Sequence, residues 1–470
     1  MGKVKVPNWL VHLGLVAGSV VFAIGVSEVG LRVANIPPQP GSQAEPETVE
    51  EAKPTQPYAA IATEPETAQE AKPTQPYAAI ATEPETAQEP NPTQPQSAIA
   101  TEPETVLEGP SPDEPTPNFF RIDENLGWAL EPNVSGWWQA EGVAYVEINS
   151  DGLRDREYPK QKPDDTIRIA ILGDSFAEAL QVDADETFWA IMERNLANCP
   201  SFKGRKVEAI NFGVTNYGTA QQLLMLRQKV WDYDPDIVLL AVFTGNDIAD
   251  NSRELDNRNR PYFVYQDGEL VADMSFRTPD KTIPPYGLSR IEDMFPDWLT
   301  RHSRILQLAK KVELGNRNRQ LEEHRQYIYS KLYREPDDPA WVNAWNVTEG
   351  LMTLMHEEVT EKGSDFMVVT LTNEVQVNPN REFRRGFRGE NNIEGDLFYP
   401  DRRIKALGDR VGFPVLNLVQ DMQAYAQENQ VCLHGFDNAL PCGGHWNAEG
   451  HRLAGQLIAP AVCPLLESRE

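Results

Sequence analysis

Residues Thr166 to Ala179 read TIRIAILGDSFAEA. A run of mostly β-branched and apolar residues gives way to a Gly-Asp turn, a serine and then helix formers, the profile of a strand covered on both faces that leads into a helix. Four more runs share the profile: Val207–Phe212 (VEAINF), Ile237–Phe243 (IVLLAVF), Phe366–Leu371 (FMVVTL) and Pro414–Val419 (PVLNLV). Helical stretches such as DETFWAIMERNL and AQQLLMLRQKVW lie between them. Strands alternating with helices imply right-handed crossovers into a parallel sheet, so the predicted fold is α/β, a three-layer α/β/α domain with a central parallel sheet. In such sheets ligand sites gather at the carboxyl ends of the strands, which makes the residues just past each run the candidates for chemistry.

The rest of the chain sorts by composition. Its 470 residues carry 71 Asp and Glu against 43 Lys and Arg, a net charge of −28 that speaks against a nucleic-acid partner. Residues 1–35 hold Lys3 and Lys5 followed by NWLVHLGLVAGSVVFAIGVS, an apolar stretch long enough to cross a bilayer and lacking a clear cleavage site. It is expected to be an uncleaved transmembrane signal anchor, with the lysines inside and everything past Glu28 outside the cytoplasm. From 36 to 118 the motif EPET recurs at Glu45, Glu64, Glu83 and Glu102, a 19-residue period rich in Pro and Glu and poor in large apolar residues. No core can form from that composition, so a disordered, acidic stalk is expected. Residues 119–470 form the predicted domain, with an insertion at about 248–341.

Ser175 stands three residues past the first predicted strand, at a turn where amide N–H groups can stabilise an anion. Past the second comes NFGVTNYG, with Gly213, Asn216 and Gly218; past the third comes TGND, with Asn246; near the C-terminus comes HWN, with His445. In this order the blocks resemble those of the SGNH (GDSL-type) hydrolase family, over most of residues 160–460. The resemblance implies a flavodoxin-like fold and an acyl-serine intermediate on esters. It implies that Ser175 is the nucleophile, that Asn246 is a side-chain oxyanion donor, and that His445 is the base. Asn216 stands where the family has an oxyanion-hole glycine. A backbone N–H suffices there, and asparagine tolerates the left-handed conformation better than most residues.

His451 has a different prospect. If Asn447 caps a helix, Leu453, Ala454, Leu457, Ile458 and Ala461 form its apolar stripe and His451 lies at the stripe's edge, in the packing. The spacing of the two histidines suits no helical metal pair, and neither metal nor cofactor is expected. The acid departs from the family pattern, because Cys442, Gly443 and Gly444 precede His445 where an Asp is usual. Asp437 can take the role, a backbone carbonyl can hold the ring instead, or the enzyme is impaired.

Four cysteines suit an oxidising compartment. Cys432 with Cys442, and Cys199 with Cys463, is the expected pairing; the other pairings and free thiols stay open. The insertion contains a helical, locally basic stretch that reads either as a wall or lid drawing an anionic substrate or as a solvated face. REFRRGFRG, from Arg381, reads either as a basic flank of the site or as a surface loop. The expected function is an extracytoplasmic serine esterase removing O-acyl groups, acetyl foremost, from a cell-surface glycan or related ester. An O-acyltransferase of the same chemistry and a non-catalytic glycan-binding protein on a decayed scaffold are the alternatives.

Overall fold

A computed structural model describes residues 116–256, 258–277, 299 and 303–465. The expected anchor and nearly all of the expected stalk lie outside them, and among the described residues no helix is long and apolar enough to cross a membrane.

The strands in chain order are β1 (Phe120–Asp123), β2 (Gly127–Leu130), β3 (Ser135–Trp138), β4 (Ala144–Glu147), β5 (Thr166–Leu172), β6 (Lys206–Asn211), β7 (Ile237–Phe243), β8 (Tyr262–Gln266), β9 (Glu269–Asp273), β10 (Asp365–Leu371) and β11 (Val415–Asn417). The helices are α1 (Ser175–Glu178), α2 (Phe188–Leu196), α3 (Thr219–Gln228), α4 (Asp247–Asp250), α5 (Arg304–Leu332), α6 (Pro339–Glu361), α7 (Glu374–Val377), α8 (Arg381–Glu390), α9 (Tyr399–Val411), α10 (Val419–Asn429) and α11 (Ala448–Val462).

All five predicted runs enter one sheet, in the order β11-β10-β7-β5-β6, and every neighbouring pair is parallel. Alternation along each strand divides the core in two. Ala170, Leu172, Ile210, Val238, Leu240 and Val368 face a cluster built on α3, α6 and α9. Ile169, Ile171, Ala209, Leu239, Ala241 and Val369 face one built on α2, α10 and α11. The three layers follow directly, since each strand must bury both of its faces. Arg168, the one charged residue in TIRIAIL, is fully buried but satisfied, bonding Glu208 at 2.9 Å and the carbonyls of Pro159, Lys160 and Tyr233.

The fifth run is shorter than its sequence suggests, because Leu418 and Val419 turn into the start of α10 and are buried there. Three antiparallel hairpins, β1-β2, β3-β4 and β8-β9, were not legible as strands; the last belongs to the insertion. The chain reverses its direction across the sheet after β6, crossing β5 to lay down β7. Ser175 follows β5 and Asn246 follows β7, so both stand at this switch point, where α/β sheets open a crevice.

His451 is buried in α11 with its ring parallel to Phe188, and its Nδ1 accepts from the Phe188 N–H at 3.2 Å. Burial pushes its pKa down to about 3, so it is a neutral packing residue. Near it, Cys199 is bonded to Cys463, joining the ends of α2 and α11 across 264 positions. Closing so long a loop restricts the unfolded chain strongly. Replacing both cysteines by serine is expected to lower the unfolding free energy by about 2–5 kcal/mol in denaturant titrations. A loss under 1 kcal/mol would show that the bridge adds little constraint.

Candidate active site

Parallel neighbours end on the same edge, so β5, β6 and β7 deliver Ser175, Asn216 and Asn246 together. Asp174 caps α1 by accepting from the Phe176 N–H at 2.9 Å, which fixes Ser175 as the first helical residue. Close approach of the β6 loop needs Gly213, where a Cβ would meet the Ala177 Cβ at 2.5 Å. Asn216 takes the left-handed conformation, φ +59°, and its carbonyl accepts from Arg260 at 3.0 Å. Among the hydrogen bonds of the described residues, neither the Ser175 N–H nor the Asn216 N–H has an acceptor. Both are open to a developing oxyanion. Asn246 stands at the N-terminus of α4 without a side-chain cap bond, and one N–H of its amide donates to Asp250 at 3.2 Å, leaving the other to donate elsewhere.

His445 lies in the loop before α11, whose first turn is capped by Asn447. Its Nε2 is 2.8 Å from Ser175 Oγ. Its Nδ1 is 2.6 Å from Oε2 of Glu141, and its backbone N–H donates to Oε1 of the same carboxylate at 2.7 Å. The carboxylate can only accept from Nδ1–H, which leaves Nε2 unprotonated and able to take the serine proton.

Glu141 is the residue that sequence reasoning missed. Asp437 is exposed in a turn and makes no contact with His445, and no backbone carbonyl takes Nδ1; the carboxylate comes from the tip of the β3-β4 hairpin instead. That tip is built for the task. Trp138 Nε1 donates to the Glu141 carbonyl at 3.0 Å. Asn438, the neighbour of Asp437, accepts from the Gly142 N–H at 2.9 Å and donates to the carbonyls of Gln139 and Gly142 at 3.0 and 2.9 Å. Gly444 makes room for that carboxylate: it has φ +77°, and a Cβ on it would fall 2.1 Å from Glu141 Oε1. The place before His445 is left empty so that a carboxylate from elsewhere can fill it.

The other half of the loop is held as firmly. His434 Nδ1 donates to the Gly444 carbonyl at 2.7 Å, its Nε2 faces Thr372 Oγ1 at 3.2 Å, and Gly435 N–H donates to the His445 carbonyl at 3.0 Å. Trp446 Nε1 donates to the same threonine hydroxyl at 2.8 Å. A disulfide between Cys432 and Cys442 closes this loop, so both expected bridges are present.

Electrostatics follow the geometry. Burial alone would lower the His445 pKa, but the hydrogen bond and charge of Glu141, with Asp174 and Glu178 behind, raise it above its ordinary value. For Glu141 burial acts upward and is overcome by His445, so its carboxyl titrates below the usual range. Burial pushes Asp174 and Glu178 each up to about 7. Among the described residues no cluster of three His, Cys, Asp or Glu side chains is placed to hold a metal.

No family model matches the chain, and no curated protein matches it. Solved structures do. The acetyl xylan esterase AlAXEase is 13% identical with a TM-score of 0.32, the match covering 63% of this chain and 100% of that one. The lipase/acylhydrolase of Enterococcus faecalis is 15% identical, TM-score 0.30, over 63% and 95%. A GDSL-like lipase of Bacteroides thetaiotaomicron is 11% identical, TM-score 0.29, over 67% and 93%.

Glu141→Gln removes the charge and keeps the shape. With the charge of Glu141 gone, burial weighs more heavily and His445 is expected to titrate lower in imidazole NMR, although Asp174 and Glu178 still act upward. An unmoved titration would show that Glu141 is not its partner.

Proposed function

We propose that this protein is a serine esterase of the SGNH type, acting on O-acyl esters of a cell-surface glycan or related molecule, with acetyl the acyl group to test first. One observation carries the proposal: Ser175 Oγ, His445 and Glu141 form a continuous hydrogen-bonded relay of 2.8 and 2.6 Å beside two open backbone N–H groups.

Attack of Ser175 Oγ on the ester carbonyl carbon passes its proton to His445 Nε2, and Glu141 steadies the imidazolium. The carbonyl oxygen becomes an oxyanion held by the N–H groups of Ser175 and Asn216 and by the Asn246 amide. His445 then gives the proton to the departing alcohol, leaving an acyl-serine. Water, deprotonated by the same imidazole, attacks the acyl carbon, and as the acyl–Oγ bond breaks His445 returns the proton to Ser175 Oγ, freeing the acid. A sugar hydroxyl in place of water would make the same centre a transferase. The reading as a decayed scaffold drew on an absent acid, and Glu141 occupies that position. An N-terminal anchor and acidic stalk complete the proposal, placing the domain outside the cytoplasm; their support is the apolar run before Glu28 and the Pro-rich repeats.

Full-length protein is expected to hydrolyse p-nitrophenyl acetate and to be labelled on Ser175 by a serine-directed phosphonate. Absence of both in folded protein would refute the esterase. Glu141→Gln should lower kcat by roughly 10³–10⁴, and Asp437→Ala should leave it within about twofold. Asn438→Ala loosens the acid without removing it, and a loss of about 10² in kcat with KM unmoved is expected. Equal losses for Asp437→Ala and Glu141→Gln would undo the assignment of the acid.

A further inference from the structure

The stretch REFRRGFRGE is not a loop but helix α8. It bears Arg381, Arg384, Arg385 and Arg388 against Glu382 and Glu390 in a chain of net charge −28. Among the described residues only Arg385 of these four pairs with a carboxylate, Glu382 at 3.1 Å. The other three are held by neutral acceptors. Arg381 Nε donates to the Gln427 amide oxygen at 2.9 Å, Arg384 to the Asn378 carbonyl, and Arg388 to the Gly395 carbonyl. Hydrogen bonds to neutral groups orient a guanidinium and leave its charge intact. Among the described residues, these three cations are aimed but not neutralised. Arg384 also feels the repulsion: partial burial and the positive charge of Arg381 pull its pKa below the ordinary value.

Three successive contacts connect this helix to the loop that carries Asn246. Phe387 of α8 packs edge-on against Tyr329 of α5, with centroids 5.7 Å apart. The Tyr329 hydroxyl meets Asn373 Oδ1 at 3.2 Å and Glu374 at 3.1 Å, at the carboxyl end of β10. Asn373 in turn lies against Gly245, where a Cβ would meet its Nδ2 at 2.9 Å, and Gly245 precedes Asn246. The arginine helix is therefore linked to the oxyanion loop through Tyr329 and Asn373, by way of the carboxyl end of β10. Phe383, one turn before Phe387, is 47% exposed between the arginines and offers a flat apolar face of the kind a sugar ring stacks on.

We infer that α8 is a substrate-binding arm for an anionic glycan, its Arg381, Arg384 and Arg388 reading carboxylates on sugars that flank the reacting ester. Guanidinium groups suit this because they meet carboxylates bidentately. An anionic membrane surface is the competing ligand, but α8 has ten residues and commits Phe387 to Tyr329 and Tyr333, leaving Phe383 alone to insert. The inference deepens the esterase reading and rests on it for the position of the ester.

The test compares full-length protein on acetylated polygalacturonate and on acetylated xylan, with p-nitrophenyl acetate reporting the catalytic centre. The kcat/KM ratio of the anionic over the neutral polymer is expected to be about ten or more at low salt and to fall as salt rises. In R381Q/R384Q/R388Q that ratio should drop about tenfold, through KM. A wild-type ratio near one, or a ratio that the triple variant keeps, overturns the inference. So does an unchanged ratio accompanied by loss of binding to phosphatidylglycerol vesicles, which would assign the helix to a membrane. Should the variant not fold, unacetylated polygalacturonate must inhibit the wild-type reaction on the acetylated polymer in a salt-sensitive way; no inhibition is equally fatal. Failure on p-nitrophenyl acetate, with salt-sensitive binding of labelled polygalacturonate retained, would refute the esterase and leave the arm standing.

Discussion

The contact between Glu141 and His445 joins residues 304 positions apart, and the site depends on it. A single carboxylate serves two masters: one oxygen takes the imidazole N–H and the other takes the backbone N–H of the same histidine. Ring and main chain are thereby fixed in one stroke, which sets both the tautomer and the direction of Nε2. Everything around the pair protects that geometry. Asn438 grips the hairpin tip from the disulfide-closed loop, and Gly142 lets the tip seat against the Gln181 carbonyl, where a Cβ would stand at 2.2 Å.

Why Ser175, Asn246 and His445 were legible while Glu141 was not has a physical answer. The first three stand at fixed places on the chain: a strand end, the start of the next helix, the loop before the last helix. Local sequence must satisfy those places, and so it carries a signature. An acid that orients an imidazole needs only to arrive at Nδ1, and any segment that reaches there will do. Glu141 sits in a short hairpin well ahead of the sheet, with nothing in its neighbours to mark it. What the sequence did carry was a negative image. Two glycines precede His445 in place of an acid, and Gly444 is the absence of a side chain where another residue's carboxylate must lie. Asp437 is nearer along the chain but exposed and away from the imidazole, while its neighbour Asn438 bonds the tip that carries Glu141.

The central sheet was legible for the opposite reason. Burial on both faces leaves no polar alternation to confuse with a loop, and all five runs became strands of one sheet. The hairpins were not, because β1 to β4 have four residues each, too few for a period to emerge. Arg168 shows the limit of pattern reading in the other direction. A charge inside TIRIAIL looks like an exposed position, but it is buried and bonded to three carbonyls and Glu208.

Charges hidden behind the serine decide how the base responds to pH. Asp174 and Glu178 are buried, titrate near 7, and both act to raise His445. As pH falls through that region each takes up a proton and stops supporting the imidazolium, so the proton affinity of His445 declines while it is being titrated. Falling pH thus works against itself, and protonation of the base is spread over a wider range than one isolated histidine would show. Glu141 does not share this behaviour, because its carboxyl is held below the usual range and stays ionised throughout. The orienting charge is constant where the supporting charges are not. An apparent pKa read from the acid side of a rate profile therefore belongs to the cluster of His445, Asp174 and Glu178 together, and not to the imidazole alone.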